Sequence, residues 1–587
     1  MKESSMKHTG KYTDISSKLS ESIRKEGERL TQYRPEDLWS LILDGSEETA
    51  RGALLYFSTG ETFRSRMQLL DTYCREKLSK IAQAEGNSVL RFLLNLSLDL
   101  KTFPAERKLL PLLGEETLQK VSLQVLTLLQ TIARSFPNAE CAIKDEIRKQ
   151  TLARLKAEGL SGDSVIEKEA ERVLGINLQE YVENLSREMN ASNLLEAARN
   201  AQKGILRTEI GNDYAEFLDY MIRIGGSFVT TNPVLIKLAW DIDPEYWNRR
   251  VDDVINATYG TKKLSTLLSG PEEKLTEAVE TINTLVTIAV VERNCRLLRP
   301  LFLLSEGKQG YVSLQVNPKA HKDGAKMVEE AVFIYQELER RLGGVPNVVI
   351  KVPSTAAGLY AAEQLTSRGI GVTVTLTFSL FQSLPFAQVL QKGNALISYI
   401  AIMNGRLAFP VRDELKAAGV PGGVEASRWA GVEVARKASY RLYSGKEQGG
   451  LGVDPGKVKI MIASLRIYED WIPDISELWG IPLITIFPNV RRTYDSHPRE
   501  LVPDSLQGKT PEKDVEVLLK SEIFRQAWWV PENGSLGKPQ RVLTLEQADA
   551  EAVADWKPVK DTLTQFIGMY QEMSLMVKER MRVLSRN

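Results

Sequence analysis

Two textures divide the chain. From about residue 34 to 195 apolar residues recur at helical spacing: Leu118, Val121, Val125, Leu128, Leu129 and Ile132 form one stripe, flanked by Glu116, Lys120 and Arg134. That is the pattern of amphipathic helices packed on their apolar sides. No period-two alternation interrupts it, and heavily charged stretches such as 143–160 read as solvated helix faces. Near Gly204 short β-branched runs begin to alternate with amphipathic segments, the signature of a parallel sheet built from βα units.

The runs at 204–210, 227–231, 310–316, 347–352, 371–378, 395–402, 457–463 and 482–487 are expected to be strands. Eight such strands are what a (β/α)8 TIM barrel requires. The interval 233–310 is too long for one crossover helix and is expected to hold two or three. Beyond Tyr494 a Pro- and Gly-containing connection leads to helices ending in 553–584, which either cover the mouth of the barrel or pack beside it. The predicted organisation is an α/β chain: an all-α domain over 1–200, an eight-stranded parallel barrel over 201–495 and a helical extension over 496–587.

Composition narrows the chemistry. Lys+Arg and Asp+Glu both number 76, so no global field favours nucleic acid or an anionic membrane, and phosphate recognition must be local. Cys74, Cys141 and Cys295 are far apart, which fits a reducing compartment and argues against a disulfide framework. His8, His321 and His497 have no metal-site spacing, so zinc chemistry or a histidine-based triad is not expected. The first residues lack an apolar signal core and no apolar run is long enough to span a bilayer. The chain therefore reads as a soluble cytoplasmic protein.

Three local signals fail on context. Residues 449–456, rich in glycine, precede a strand where a dinucleotide fingerprint would follow one. Gly508-Lys509-Thr510 echoes a phosphate loop, but Pro503 stands where its leading glycine belongs. Trp528 and Trp529 read as core anchors.

The informative stretch is 347–355, where Lys351 ends an otherwise apolar, β-branched run before Pro353, Ser354 and Thr355 turn into a helix. At the carboxyl end of a barrel strand a buried lysine loses charge, and its free amine can attack a carbonyl to form a Schiff base. The competing reading is a lysine whose stem packs and whose head reaches solvent. Other strand ends carry hydroxyls, amides and guanidinium groups: Thr230, Thr231, Asn232, Ser313, Gln315, Thr373, Thr375, Phe378, Ser398, Tyr399, Arg406, Ser464 and Arg466. One amine, several hydroxyls and forked guanidiniums suit a phosphorylated polyol.

The segments "SFVTTNPVLI", "YVSLQVNP", "VVIKVPSTAAGL", "GIGVTVTLTFSLFQ" and "KIMIASLR", in this order within 204–490, resemble the transaldolase family. The resemblance implies an eight-stranded barrel, a Schiff-base lysine at Lys351, Asn232 as a substrate-positioning amide, Thr375 and Ser398 as pocket hydrogen-bonding residues, and a phosphate site of Arg406, Ser464 and Arg466. Thr231, Ser313, Thr373, Tyr399 and Phe378 would complete the sugar pocket. It further implies transfer of a dihydroxyacetone unit between sugar phosphates of pentose phosphate metabolism (fructose 6-phosphate, erythrose 4-phosphate, sedoheptulose 7-phosphate, glyceraldehyde 3-phosphate), with no cofactor, metal, nucleic acid or membrane. The helical domain is left as a surface for a protein partner or self-association.

Departures from the family pattern set the open questions. Gln315 stands where a glutamate is usual on the third strand, and glutamine orients water without taking its proton. Arg207 aligns with the usual first-strand aspartate, leaving Glu209, and after it Asp213, as displaced carboxylates; Glu209 is the expected acid–base group. Thr373 replaces an asparagine, and the spacing from Ser398 to Gly405-Arg406 is a few residues longer than usual. Gln315, Thr375 and Tyr399 together resemble the fructose 6-phosphate aldolase branch, which implies simple aldol cleavage as the alternative outcome. A non-catalytic sugar-phosphate-binding scaffold is the third reading.

Overall fold

In the computed structural model, residues 6–77, 80–102, 115–136, 138–160, 162–175 and 177–586 are described; the first residues, read above for a leader, lie outside them. Eight parallel strands close into a TIM barrel in sequence order: β1 Glu209–Asn212, β2 Gly226–Thr230, β3 Tyr311–Gln315, β4 Val348–Pro353, β5 Val372–Thr377, β6 Ser398–Ile402, β7 Val458–Ile462 and β8 Leu483–Ile486. β1 also pairs with β8, so no edge is left unpaired. Outward residues such as Val312, Ile350, Val374 and Ile460 join the layer of barrel helices in the largest core, as period-two alternation dictates.

Two expectations are corrected. β1 begins five residues later than the pattern suggested (204 to 209), because Gly204, at φ +71°, ends the helix Asn193–Gln202 and the Ile205 N–H returns to the Asn200 carbonyl. The interval after β2 holds four helices, not two or three: Pro233–Ile242, Pro244–Thr258, Gly260–Ser269 and Glu272–Leu304. Asn232 and Asp243 cap the first two, each followed by a proline in the first turn, so the chain restarts a helix twice within a short span.

Before β1, every regular element among the described residues is a helix. Phe63, Phe92, Leu129, Val182 and their neighbours form a separate core there. This region is tied to the barrel by a charge network, buried at Arg51, Asp99 and Arg223 and reaching the surface at Arg293. Arg51 bonds Asp99 at 2.7 Å and Asp219 at 2.9 Å, Arg223 bonds Asp99 at 2.8 Å, and Arg293 bonds Asp219 at 2.9 Å.

Both ends of the barrel are covered. At the amino-terminal end Phe228, Tyr311 and Tyr399 pack with Ile23 and Phe57, and Glu26 of the helix Met6–Thr31 accepts from Arg299 at 2.9 Å. At the other end the long helix Lys557–Arg586 packs on β5, on the helix after β2, on the turn after β3 and on the helix after β6. It lies across the strand ends that carry active sites in this fold. Among the described residues no helix is long and apolar enough to cross a membrane.

Asp99 serves two guanidinium groups at once. Asp99→Ala should therefore leave buried Arg223 without its carboxylate and Arg51 with Asp219 as its remaining one, and cost about 3–5 kcal/mol in the urea transition that reports the helical region. An unchanged midpoint would refute this account of how the two regions are joined.

Candidate active site

β4 places Val348, Ile350 and Val352 against the outer helices and Val349 inside the barrel, so Lys351 also points inward. Lys351 is only 4 % exposed, and its Nζ reaches the Thr231 carbonyl at 3.4 Å. Burial brings its pKa down to about 8; nearby Asp213 resists that fall and Arg406 adds to it. The amine is thus partly free near neutral pH. The turn beyond it is held by Thr355, whose hydroxyl accepts from the Gly358 N–H at 3.1 Å. A Cβ on Gly358 would stand 1.8 Å from the Pro353 carbonyl oxygen, so only glycine lets the helix start this close to the strand.

In the sheet register Gln315 is the partner of Lys351 on one side and Thr373 on the other. Gln315 Oε1, Ser313 Oγ and Thr373 Oγ1 are buried without a partner in the protein. Thr375 pairs with Pro353 and donates to Met403 Sδ at 3.8 Å. Asn232 Oδ1 caps its helix by accepting from the Leu235 N–H at 3.1 Å. Asp213 follows β1, where its N–H donates to the Ile486 carbonyl at 3.1 Å and its carboxylate accepts from Thr230.

Two guanidinium groups stand beside this cluster. Arg406 lies in the first turn of the helix Asn404–Ala417. Burial, then Arg466, hold its pKa down to about 10, so it stays cationic at neutral pH. Arg466 donates to the Ser464 and Leu465 carbonyls at 3.2 and 3.0 Å, and its own N–H donates to buried Asp474 at 3.0 Å. Ser464 sits at φ +59°, and a Cβ on Gly405 would come 2.4 Å from Arg466 Cγ and 2.5 Å from the Ser464 oxygen. The Gly405-Arg406 pair is therefore what lets the two arginines share one corner.

Several expected residues are elsewhere. Glu209 opens β1 at the amino-terminal end, where Lys459 donates to its carboxylate and Ser227 Oγ does so at 3.0 Å; an already paired carboxylate at that end is removed from Lys351. Ser398 opens β6, and its hydroxyl accepts the Val372 N–H at 3.2 Å. Tyr399 packs on Phe228 with ring centroids 4.6 Å apart, inside the amino-terminal plug. Phe378 faces Trp556 at 6.2 Å within the outer core. Thr231 spends its hydroxyl on the Ser313 carbonyl at 2.6 Å and gives the site only its own carbonyl. Among the described residues no group of three or more His, Cys, Asp or Glu side chains is arranged to hold a metal.

The family model described as Transaldolase/Fructose-6-phosphate aldolase matches residues 216–527. The chain belongs to this transaldolase/fructose-6-phosphate aldolase family. It is 35% identical over 159 residues to a protein named Transaldolase from Thiobacillus denitrificans, covering 27% of this chain and 38% of the relative. It is 38% identical over 120 residues to Transaldolase 2 of a Nostoc species, covering 20% and 28%, and 34% identical over 168 residues to a Transaldolase of Neisseria meningitidis, covering 28% and 41%. The chain thus spans less than half the length of these relatives.

Within the family frame, the misplaced residues share one cause. Counting from Ser398 put the sixth-strand residues at the wrong end of β6, whereas Gly405-Arg406, which starts the helix after that strand, was the better anchor: it brings Met403 beside Thr375. Likewise Gly204 as the end of a helix was the signal that shifts β1 and brings Asp213, not Glu209, towards Lys351.

Lys351 should be carbamylated by cyanate with a midpoint near pH 8, well below ordinary lysines near 10.4. Asp213 holds the ammonium form in place, so Asp213→Asn should move that midpoint to lower pH. Peptide mass mapping reads both, and a Lys351 midpoint near 10 in either protein would contradict the electrostatics described.

Proposed function

We propose that this protein transfers a dihydroxyacetone unit between sugar phosphates through a Schiff base on Lys351. The observation that carries the reading is the inward, buried amine of Lys351, pairing in register with Gln315 and Thr373 and facing Arg406 and Asp213. The free amine adds to C2 of a ketose phosphate, and loss of water from the carbinolamine gives an iminium ion. Asp213 takes the proton of the C4 hydroxyl as the C3–C4 bond breaks. The aldose phosphate leaves, and the electron pair of the broken bond is held as an enamine. Attack of that enamine on a second aldose phosphate, followed by hydrolysis, completes transfer and restores the amine.

Arg406, Arg466 and Ser464 hold the phosphate at the far end, where charge-assisted bonds orient the reacting carbons. The helix Lys557–Arg586 covers the site, with Phe566 5.8 Å from the Arg406 guanidinium, and so limits the water that would hydrolyse the intermediate. Against the aldolase outcome, Tyr399 belongs to the plug and Met403 takes the place beside Thr375. We further propose that residues 1–200, 201–495 and 496–587 act as helical domain, catalytic barrel and cover.

Borohydride reduction in the presence of fructose 6-phosphate should leave a three-carbon adduct on Lys351 that diminishes when erythrose 4-phosphate is added. Lys351→Met should abolish both adduct and transfer. Release of free dihydroxyacetone without acceptor would indicate aldol cleavage, and binding without any adduct would indicate a sensor. Arg466→Ala should raise KM for phosphorylated donors by about 10- to 100-fold, since a charged hydrogen bond contributes roughly 1.5–3 kcal/mol; an unchanged KM would place the phosphate elsewhere.

A further inference from the structure

A small cavity, largely apolar but with several polar side chains in its wall, lies behind the strand ends of β2 and β3. Its walls include Asn232, Gln315, Thr284, Glu330 and Tyr570, and it leaves ≈ 20 Å³ open to the centre of a water molecule, enough for one water with polar partners. Gln315 Oε1 and the Tyr570 hydroxyl are buried there without a protein partner. Glu330, on the helix Gly324–Leu342 that follows β3, accepts from the Asn317 N–H at 2.8 Å and from the Thr284 hydroxyl at 3.0 Å. Its carboxyl is thus aimed at the same cavity as the amide that neighbours Lys351.

We infer that Glu330 supplies the proton that Gln315 cannot, passing it through one water in this cavity to the hydroxyl that leaves the carbinolamine on Lys351. The inference rests on the Schiff-base reading above. The step balances: the neutral carbinolamine and the protonated carboxyl become an iminium cation, a carboxylate and a released water, and hydrolysis at the end of the cycle returns the proton. Glu330 is a relay residue acting through water; it does not touch the substrate.

The surroundings suit that role. Burial pushes the Glu330 carboxyl up to about 7, with neighbouring Glu280 adding to the rise and the bonds from Asn317 and Thr284 opposing it. Glu280 is itself paired with Lys319 at 2.6 Å, which keeps that cation off Glu330. From the covering helix, Tyr570 presents a hydroxyl whose own pKa is driven far up by burial, so it stays neutral. Among the described residues no ion pair reaches Glu330, and it can therefore hold a proton near neutral pH, as a general acid must.

The test is the pH dependence of borohydride-trapped adduct formation on Lys351 with fructose 6-phosphate. The reactive form needs a free Lys351 amine, with pKa about 8, and a protonated Glu330, with pKa about 7. The wild-type rate should rise to a break near pH 7, stay level to about 8 and fall above it. Glu330→Gln should lose the alkaline fall and drop about 100-fold at pH 7, the scale of lost general-acid catalysis. Glu330→Asp should keep the fall at a reduced rate. Thr284→Val, which removes a hydrogen bond favouring the carboxylate, should move the break near pH 7 upward and serves if Glu330→Gln fails to fold. An alkaline fall retained in Glu330→Gln, or an unmoved break in Thr284→Val, overturns the relay while leaving the Schiff base intact. Absence of any adduct on the wild-type protein overturns the reading on which the relay rests.

Discussion

The structure turns on keeping one amine out of water. Lys351 has a backbone carbonyl as its hydrogen-bond partner and, among the described residues, no direct carboxylate contact, so the charged form loses more solvation than it regains. That arrangement requires walls on every side: the closed barrel around it, a residue layer beneath it and a helix across the strand ends. Each wall is supplied by a different part of the chain. The plug draws on Ile23 and Phe57 from before the barrel, and the cover on the last helix, more than two hundred residues beyond Lys351 in sequence. A barrel cut from its flanking helices would open this site at both ends.

The two ends of the same barrel treat charge in opposite ways. At the amino-terminal end Lys459 and Glu209 neutralise each other, and the pair is backed by Ser227 and sealed among aromatic rings. That lysine has no unbalanced environment and no open neighbour. At the carboxyl end Lys351 has Asp213 near enough to hold up its charge but Arg406 opposing it. The difference between the two lysines is the pairing of charges, since both side chains point into the barrel and both are largely buried.

Much of this was legible in the sequence, and the failures have a common physical origin. Continuous β-branched runs located seven of the eight strands closely, and the turn chemistry after Val352 placed Lys351 at a strand end. Period-two alternation tells which face of a strand a residue takes. It does not tell which end of the barrel the residue occupies, because both ends of an inward-facing row are apolar or hydrogen-bonded. Ser398 and Tyr399 were therefore given to the pocket although they open β6, and Glu209 was preferred although it opens β1. Glu330 had no sequence signal at all: on a helix of alternating charge it resembles its neighbour Glu329, and only folding brings it against Asn317 and Thr284.

The arginine corner is where the proposed reading would couple binding to chemistry through the fold. Arg406 and Arg466 are held near each other by the absent side chain of Gly405 and by the bend at Ser464, and their mutual repulsion adds to the burial that lowers the pKa of Arg406. Such a pair is a cost to the free protein that a doubly charged anion removes, since each guanidinium then exchanges a like neighbour for an opposite one. Asp474 does not relieve it: its carboxyl, pushed up to about 6 by burial, accepts the Arg466 main-chain N–H and so fixes the loop more than it offsets the side-chain charge. On the proposed reading, the energy recovered on binding a phosphate would be released at the far end of the pocket, where it would orient the substrate without having to stabilise the carbonyl in its ground state. The attack proposed for Lys351 would then be governed by the amine's own local field.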